Sequence, residues 1–249
     1  MRMQFQANIV EVFSSLQGEG LYAGAPMTFV RFGGCRMRCR YCDTPRGFAS
    51  CGVCRVEQTP RSEQFREEAN PISITRLSEI LESFDDEFVS VTGGEPLEQS
   101  EFLTEWLPHV SAKRKVLLET NGVLHDRLER VLPHVSIVSM DLKLPSSTRR
   151  PAVWVEHEDF LRAVIASGRE IYVKLVVTGE TSDSDIEKSI GTVSRINRFV
   201  PIFIQPASDT LSFNSELSGR RLSSIERLCG AYLADVRVRP QMHRQWGVL

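Results

Sequence analysis

The stretch Cys35-Arg36-Met37-Arg38-Cys39-Arg40-Tyr41-Cys42 indicates the fold more strongly than any other part of the sequence. Its three cysteines follow the spacing C-x3-C-x2-C. Thiolates this close together can each bind a different iron of a four-iron cluster and leave the fourth iron open to a ligand. Zinc usually takes four protein ligands in a closed tetrahedron. The triplet therefore favours an iron–sulfur cluster with one open corner over a zinc site or incidental buried thiols, and the Tyr41 ring could lie against a group bound there.

The segments around this stretch alternate between short apolar runs and amphipathic runs of helical spacing. The predicted strands are residues 27–32, 88–92, 115–119, 136–141, 171–178, 202–205 and 236–239. The predicted helices are residues 74–84, 101–110, 126–132, 157–166, 184–197 and 216–234. This alternation predicts an α/β fold around a parallel sheet, in which ligands bind at the carboxyl ends of the strands.

Composition limits the class of protein. A hydrophobic fraction of 41% with 25% charged residues is typical of an ordinary soluble globular protein. The net charge of -2 gives no sign of a general nucleic-acid or membrane-surface binder, and no apolar run approaches the length of a membrane span. Six cysteines, three of them clustered, favour a reducing compartment, so the cytoplasm is expected. No linker or repeat divides the chain, so residues 1–249 are predicted to form a single domain.

Residues 46–70 form an atypical polar segment, which is predicted to be an insertion or long loop. It contains a second cysteine pair, Cys51 and Cys54, in C-x2-C spacing. Half of a zinc site, a redox pair, ligands of a second cluster and two unremarkable thiols all remain open for this pair.

Two glycine-containing motifs are candidates for ligand binding. Gly93-Gly94-Glu95-Pro96 follows a predicted strand, and its glycines let the backbone approach a ligand that carries amino and carboxylate groups. Leu16-Gln17-Gly18-Glu19-Gly20 offers an amide and a carboxylate for the edge of a pterin or purine-like ring, and Arg31 could bind a carboxylate in bidentate fashion. A tight turn and a solvated glycine-rich loop are the structural alternatives.

The cysteine spacing with an aromatic residue before the last cysteine resembles the signature of the radical S-adenosylmethionine (SAM) superfamily. A larger set of motifs resembles the 7-carboxy-7-deazaguanine synthase family and covers nearly the whole chain except residues 46–70. These motifs are LQGEG, FVRFGGC, CRYCDT, VTGGEP, ETNG, DLKLPS, QPAS and PQMH.

This resemblance implies a fold, a reaction and partners. The fold would be a partial (β/α) barrel of the radical SAM type with reduced helix content, fewer helices than the usual six. The reaction would convert 6-carboxy-5,6,7,8-tetrahydropterin to 7-carboxy-7-deazaguanine: a reduced [4Fe-4S] cluster cleaves SAM, the resulting radical removes hydrogen from carbon 6, and ring contraction with loss of ammonia follows. The implied partners are a small-molecule pterin substrate, Mg2+, an electron donor of flavodoxin or ferredoxin type and a second copy in a homodimer, with neither nucleic acid nor membrane.

The resemblance also implies roles for residues at matching positions. The cluster ligands would be Cys35, Cys39 and Cys42, and Thr44 would bind magnesium, although Asp43-Thr44 alone is more typical of a turn or cap. The implied substrate residues are Leu16, Gln17, Gly18, Glu19, Arg31, Thr92 and Leu249. The implied SAM residues are Tyr41, Gly93, Gly94, Glu95, Asp141, Leu142, Lys143, Gln205, Pro206, Ala207 and Ser208. No catalytic residue is assigned, and His243 is equally suited to proton transfer and to a structural role.

Two other classes of protein remain open at this point. An activase of a glycyl-radical enzyme would use the same cluster on a partner protein, but it gives no reason for LQGEG or Arg31. A non-catalytic iron–sulfur or zinc protein gives no reason for the glycine turn at residues 93–96.

Overall fold

A ten-stranded mixed sheet organises the chain in the computed structural model, which describes residues 5–210 and 212–249 apart from the side chains of residues 45 and 46. The strands are β1 (Gln6–Ala7), β2 (Ile9–Leu16), β3 (Pro26–Phe32), β4 (Val53–Glu57), β5 (Phe65–Ala69), β6 (Ile72–Ser73), β7 (Phe88–Gly93), β8 (Lys115–Thr120), β9 (Ile137–Asp141), β10 (Glu170–Val177), β11 (Ile202–Pro206) and β12 (Val236–Val238). The α-helices are α1 (Ile74–Leu81), α2 (Ser100–Ser111), α3 (His125–Val131), α4 (Pro145–Thr148), α5 (Trp154–Ser167), α6 (Asp183–Asn197), α7 (Gly219–Gly230) and α8 (Met242–Trp246).

The sheet order is β12-β11-β10-β9-β8-β7-β3-β2-β4-β5, and β1 pairs with β6 in a separate two-stranded sheet. From β3 to β12 the neighbouring strands β3, β7, β8, β9, β10, β11 and β12 are parallel. The sheet is open and does not close into a barrel, which confirms the predicted α/β fold of partial-barrel type. Each of the six parallel connections contains a helix, so the expectation of fewer than six helices is wrong, although α1 has only eight residues and α3 only seven.

Local sequence explains where three of the helices begin. Ser73, Ser182 and Ser218 are the N-caps of α1, α6 and α7, and each side chain accepts a hydrogen bond from a backbone N–H of the first turn. Residues at helical spacing then bury one face; in α1 these are Leu77, Ile80 and Leu81. No helix among the described residues is long and apolar enough to cross a membrane.

The two faces of the sheet have different surroundings. Side chains alternate across a strand, so in β10 Val173 and Leu175 join the main core under the helices. Tyr172 packs into a smaller cluster on the other face, and Lys174 faces a cavity there. The parallel strands therefore present one face to the helices and leave the other face available for a site.

The prediction of a loop for the polar segment is wrong in part, because residues 53–69 include a hairpin of β4 and β5. Strand β4 pairs parallel to β2 and antiparallel to β5. The buried Glu57 carboxylate accepts hydrogen bonds from the backbone N–H groups of Ser14 and Glu63, both at 2.9 Å. Cys54 is fully buried in the main core, while Asn8 exchanges two 2.9 Å hydrogen bonds with the backbone of Cys51. This hairpin extends the sheet beyond β2.

Candidate active site

One cavity lies on the face of the sheet opposite the connecting helices, where the carboxyl ends of the parallel strands meet the cysteine loop. Nineteen of the sequence-predicted residues line it. They are Leu16, Gln17, Gly18, Glu19, Arg31, Cys35, Cys39, Tyr41, Cys42, Thr44, Thr92, Gly93, Gly94, Asp141, Lys143, Gln205, Ala207, Ser208 and Leu249. Residues from both ends of the chain therefore meet at one site.

Three predicted residues do not line the cavity: Glu95, Leu142 and Pro206. Leu142 is buried in the main core, and Pro206 is the last residue of β11. Glu95 is fully buried, because its side chain turns back into the protein at the end of the glycine turn.

The cysteine loop presents its three thiols to this cavity. Cys35, Cys39 and Cys42 are all half-buried, and the Cys42 N–H donates to the Cys39 carbonyl at 3.1 Å, which closes the loop. Burial raises the pKa of all three thiols, that of Cys42 to about 11. Iron binding removes the thiol proton, so burial opposes ionisation of these thiols until metal binds.

The glycine turn holds the backbone of the loop against β3. Gly93 has φ of 123°, a conformation that L side chains rarely adopt. A Cβ at Gly94 would overlap the carbonyl oxygen of Gly34, just before the first cysteine. The Gly94 N–H donates to Phe32 O at 2.8 Å, and the Glu95 N–H donates to Gly34 O at 2.7 Å. Only two glycines permit this close approach, so the turn and the cysteine loop form one unit.

The buried side chain of Glu95 stabilises this unit from the side that faces away from the cavity. Its carboxylate accepts hydrogen bonds from Thr120 Oγ1 at 2.8 Å, from the Asn121 N–H at 2.7 Å and from the Leu97 N–H at 3.1 Å. Burial outweighs these hydrogen bonds and raises the pKa of Glu95 to about 7. The carboxyl group thus ties the glycine turn to the end of β8.

A buried charged network occupies the centre of the cavity. Lys174 Nζ lies 2.5 Å from Glu19, 3.3 Å from Asp141 and 3.6 Å from Glu119. Burial alone would raise the pKa of Glu19, but the charge and hydrogen bond of Lys174 dominate and lower it to about 2. Burial likewise opposes the charged form of Lys174, yet its three carboxylate neighbours raise its pKa well above the usual value. Lys143 pairs with Asp141 at 2.8 Å and lowers the pKa of that carboxyl group.

Gln241 connects the two sides of the cavity. Its Nε2 donates to Glu19 at 2.7 Å and to Asp43 at 2.6 Å, next to the last cysteine of the loop. Gln205 Nε2 donates to the same Glu19 oxygen at 3.0 Å, and Ser208 donates to the Gln241 side-chain oxygen at 2.5 Å. Residues of β11 and the C-terminal segment therefore fix Glu19 in place.

The C-terminal segment packs directly on the LQGEG run. The Met242 N–H donates to Gly18 O at 2.9 Å, and Ser15 Oγ donates to Leu249 O at 2.8 Å. A Cβ at Gly18 would overlap the ring of His243, which also lines the cavity. Glycine at this position lets the segment close one side of the site.

Two further predicted residues make local contacts. Arg31 Nε lies 2.8 Å from Glu11, and both side chains are only 20% exposed. Thr44 Oγ1 donates to Asp43 Oδ1 at 3.1 Å at the start of the short 3-10 helix Pro45–Phe48. Thr44 thus stands next to a carboxylate at the cavity wall.

The sequence interpretation did not assign Glu119, Lys174 or Gln241, which the structure brings into the same network. Lys174 could have been found as a lysine inside the apolar strand Glu170–Val177. Glu119 stands at the end of a predicted strand, where ligand-binding residues concentrate. Gln241 belongs to the PQMH motif quoted from the sequence, but no role was assigned to it there.

The residues fit a multi-iron cluster and a bound amino acid derivative. Each thiol of the loop can bind a separate iron, and the narrow glycine turn beside them leaves backbone groups accessible. Among the described residues, no three or more His, Cys, Asp or Glu side chains are grouped as ligands of a single metal ion.

Comparisons with known proteins agree with this geometry. The radical SAM superfamily model matches residues 29–193. A 7-carboxy-7-deazaguanine synthase from Geobacter sulfurreducens is 39% identical over 252 residues, which cover 98% of both chains. One from Methanopyrus kandleri is 35% identical over 243 residues, which cover 95% of this chain and 92% of the relative.

The crystal structure of QueE from Escherichia coli has the same fold, with a TM-score of 0.65 at 22% identity over 97% of this chain and 96% of that one. The sequence resemblance is confirmed by these matches. The chain therefore belongs to the radical SAM superfamily and, within it, to the 7-carboxy-7-deazaguanine synthase family.

Proposed function

We propose that the chain converts 6-carboxy-5,6,7,8-tetrahydropterin to 7-carboxy-7-deazaguanine with loss of ammonia. Its relatives are named for this product. The observation that supports the proposal best is the pair of hydrogen bonds from Gln241, to Glu19 of the LQGEG run at 2.7 Å and to Asp43 beside Cys42 at 2.6 Å. Because one side chain spans both motifs, a substrate held by the LQGEG run would lie next to the cluster loop.

The polar side chains of the cavity provide groups that can bind the substrate. Gln17, Glu19 and Arg31 offer an amide, a carboxylate and a guanidinium to a pterin with a carboxyl group. Gln17 Nε2 already donates to Glu119 at 3.1 Å, so its side chain is held in one orientation. We assign substrate binding to Leu16, Gln17, Gly18, Glu19, Arg31, Thr92 and Leu249.

Membership in the superfamily implies a [4Fe-4S] cluster and SAM. We assign the cluster to Cys35, Cys39 and Cys42. When bound, these cofactors supply the one-electron cleavage that starts hydrogen abstraction from the substrate. The chain positions them: the glycine turn, Asp141–Lys143 and Gln205–Ser208 surround the space next to the loop, so SAM would bind there. Glu95 does not line this space, and it contributes by holding the glycine turn in place.

Magnesium is a further part of the proposal. Thr44 Oγ1 lies 3.1 Å from Asp43 Oδ1, so two oxygen atoms are available at the cavity wall. Magnesium prefers oxygen ligands and keeps several waters. A site with Thr44 would be completed by water and by substrate oxygens.

The remaining assignments rest on the family alone. We propose one radical SAM domain over residues 1–249, a homodimer and a cytoplasmic location. The electron would come from a donor protein of flavodoxin or ferredoxin type. No feature of the described residues favours a glycyl-radical activase or a non-catalytic metal protein.

The test is a turnover assay under anaerobic conditions. The reconstituted protein, dithionite, SAM, magnesium and the carboxypterin should give 7-carboxy-7-deazaguanine, detected by mass spectrometry. Omission of the carboxypterin should abolish the product. SAM cleavage that depends on an added protein and not on the carboxypterin would contradict the proposal in favour of an activase.

A further inference from the structure

A row of four side chains crosses the sheet beside the candidate site. Glu11 of β2 is paired in register with Arg31 of β3 on one side and with Arg55 of β4 on the other. Arg31 is paired in turn with Thr92 of β7. Residues in register on adjacent strands are neighbours on one face and interact directly. Arg31 and Thr92 line the cavity, whereas Glu11 and Arg55 do not, so the row leads from the cavity to the hairpin of β4 and β5.

Glu11 holds one edge of the Arg31 guanidinium. Arg31 Nε donates to Glu11 Oε1 at 2.8 Å, and the guanidinium carbon lies 5.7 Å from the centroid of the Phe13 ring. A guanidinium binds a carboxylate in bidentate fashion through a pair of N–H groups in a rigid fork. Because Glu11 occupies Nε, the two terminal nitrogens of Arg31 are left to face a carboxylate in the cavity.

Arg55 belongs to the hairpin, in the segment that the sequence motifs do not cover. Its Nη1 lies 3.6 Å from Glu11 Oε2, the carboxylate oxygen that Arg31 Nε does not use. The guanidinium carbon of Arg55 lies 4.2 Å from the centroid of the Phe65 ring, a cation–π contact that holds the side chain over the sheet. Arg55 is 41% exposed and Glu11 only 20%, so Arg55 approaches the carboxylate from the solvent side.

The charges along the row explain why two arginines share one glutamate. When a substrate carboxylate binds, Arg31 contacts two carboxylates, that of Glu11 and that of the substrate. Like charges held close together in a partly buried site repel each other. Arg55 balances the charge of Glu11, so the positive charge of Arg31 remains available to the substrate.

We propose that Glu11 and Arg55 are positioning residues that set the affinity for the substrate's carboxyl group through Arg31. This inference rests on the proposed function, in which Arg31 binds that group. Glu11 fixes the orientation of the guanidinium, and Arg55 neutralises Glu11 from outside the cavity. The hairpin thereby takes part in substrate binding without contacting the substrate.

The experiment measures binding and not turnover. Calorimetric titrations of the reconstituted protein without SAM, under anaerobic conditions, compare 6-carboxy-5,6,7,8-tetrahydropterin with 5,6,7,8-tetrahydropterin, which lacks the carboxyl group. The variants are Glu11→Ala, Glu11→Gln and Arg55→Gln. The matched control is Arg66→Gln, because Arg66 lies in the same hairpin, is 39% exposed and pairs with Glu68 instead of Glu11.

Glu11→Ala should weaken binding of the carboxypterin by between about tenfold and a hundredfold, because Arg31 loses its fixed orientation. Glu11→Gln keeps an oxygen that accepts from Arg31 Nε, so it should retain most of the affinity. Arg55→Gln should weaken binding about threefold, as expected of a half-exposed ion pair. Arg66→Gln should change nothing, and no variant should alter binding of tetrahydropterin.

A double-mutant cycle separates positioning from a general effect on the site. In the Arg31→Gln background, Glu11→Ala should weaken carboxypterin binding no further, because Glu11 acts through Arg31. Losses that add in the double variant would overturn the inference.

Unchanged carboxypterin affinity in both Glu11→Ala and Arg55→Gln would overturn the inference, as would an equal loss of affinity for both pterins. If Glu11→Ala does not fold, Arg55→Gln decides alone, because it alters only a half-exposed side chain of the hairpin. A wild type that binds the carboxypterin selectively but forms no product with SAM and dithionite would contradict the proposed function, while the titrations would still test the two residues.

Discussion

Replacement of Lys174 by methionine is expected to destabilise the protein strongly. The ammonium lies 2.5, 3.3 and 3.6 Å from three carboxylates and is only 5% exposed. At an effective dielectric constant of about 20, each such contact contributes on the order of 4 kcal/mol, and desolvation cancels much of the sum. Removal of one partner from a buried network typically costs about 3–5 kcal/mol. We expect a loss in that range, a large part of the usual stability of a domain.

The loss should depend on pH. In the variant, Glu19 and Asp141 would face each other with one cation fewer, so the pKa values of these two carboxyl groups in the folded state would rise. A raised carboxyl pKa stabilises the folded state at low pH and ceases to do so as pH rises through the folded pKa. The deficit against wild type should therefore be larger at pH 8 than at pH 5.5.

Urea unfolding followed by tryptophan fluorescence measures this effect, with both proteins at the same iron content. Lys113→Met is the matched control, because Lys113 and its partner Glu82 are 4.0 Å apart and both 73% exposed. That change should cost about 0.5 kcal/mol or less. A loss below about 1 kcal/mol for Lys174→Met, or an equal loss at both pH values, would refute the reasoning.

Three further predictions follow from the site. Glu95→Gln should flatten the pH dependence of stability. Because the pKa of Glu95 is raised to about 7, the free energy of unfolding of the wild type should fall by up to about 3 kcal/mol as pH rises from 4.5 through 7. If the urea midpoint changes with pH equally steeply in both proteins, this prediction is contradicted. Arg31→Gln should raise the KM for the carboxypterin and leave SAM affinity unchanged, at a cost of about 2–5 kcal/mol in kcat/KM; equal loss of SAM affinity would reverse the assignment. Thr44→Ala should weaken the response of turnover to magnesium more than Thr44→Ser does, because serine keeps the oxygen ligand, and superimposable magnesium titrations would remove Thr44 from the metal site.

Sequence patterns predicted the strands and helices that bury one face. The strand that ends near Thr92 and the helix that follows Ser73 both pack against the core, so their apolar residues recur at strand or helix spacing. Both elements were therefore predicted within a few residues of the observed bounds. The hairpin in residues 53–69 escaped prediction because its two strands are short and contain several charged residues, and β5 is the edge strand of the sheet. An edge strand needs only one apolar face, and the alternation of apolar and polar residues over five positions is too short to identify a strand.

The parts of the candidate site that could be predicted are those whose functional residues are close together in the sequence. The cysteine loop and the glycine turn are local motifs, and the structure places both at one cavity. Lys174 depends on carboxylates from three other segments, so its role could be seen only once the sheet order was known. The role of Gln241 also depends on the fold, because Gln241 contacts two residues about 200 positions away along the chain.

The central claim is that this cavity directs hydrogen abstraction to carbon 6 of a carboxypterin. The most direct test uses carboxypterin deuterated at carbon 6 in an anaerobic turnover with dithionite and SAM. We predict 7-carboxy-7-deazaguanine together with 5′-deoxyadenosine that carries deuterium from the substrate. Formation of unlabelled 5′-deoxyadenosine without 7-carboxy-7-deazaguanine, from protein with a full cluster complement, would contradict the account.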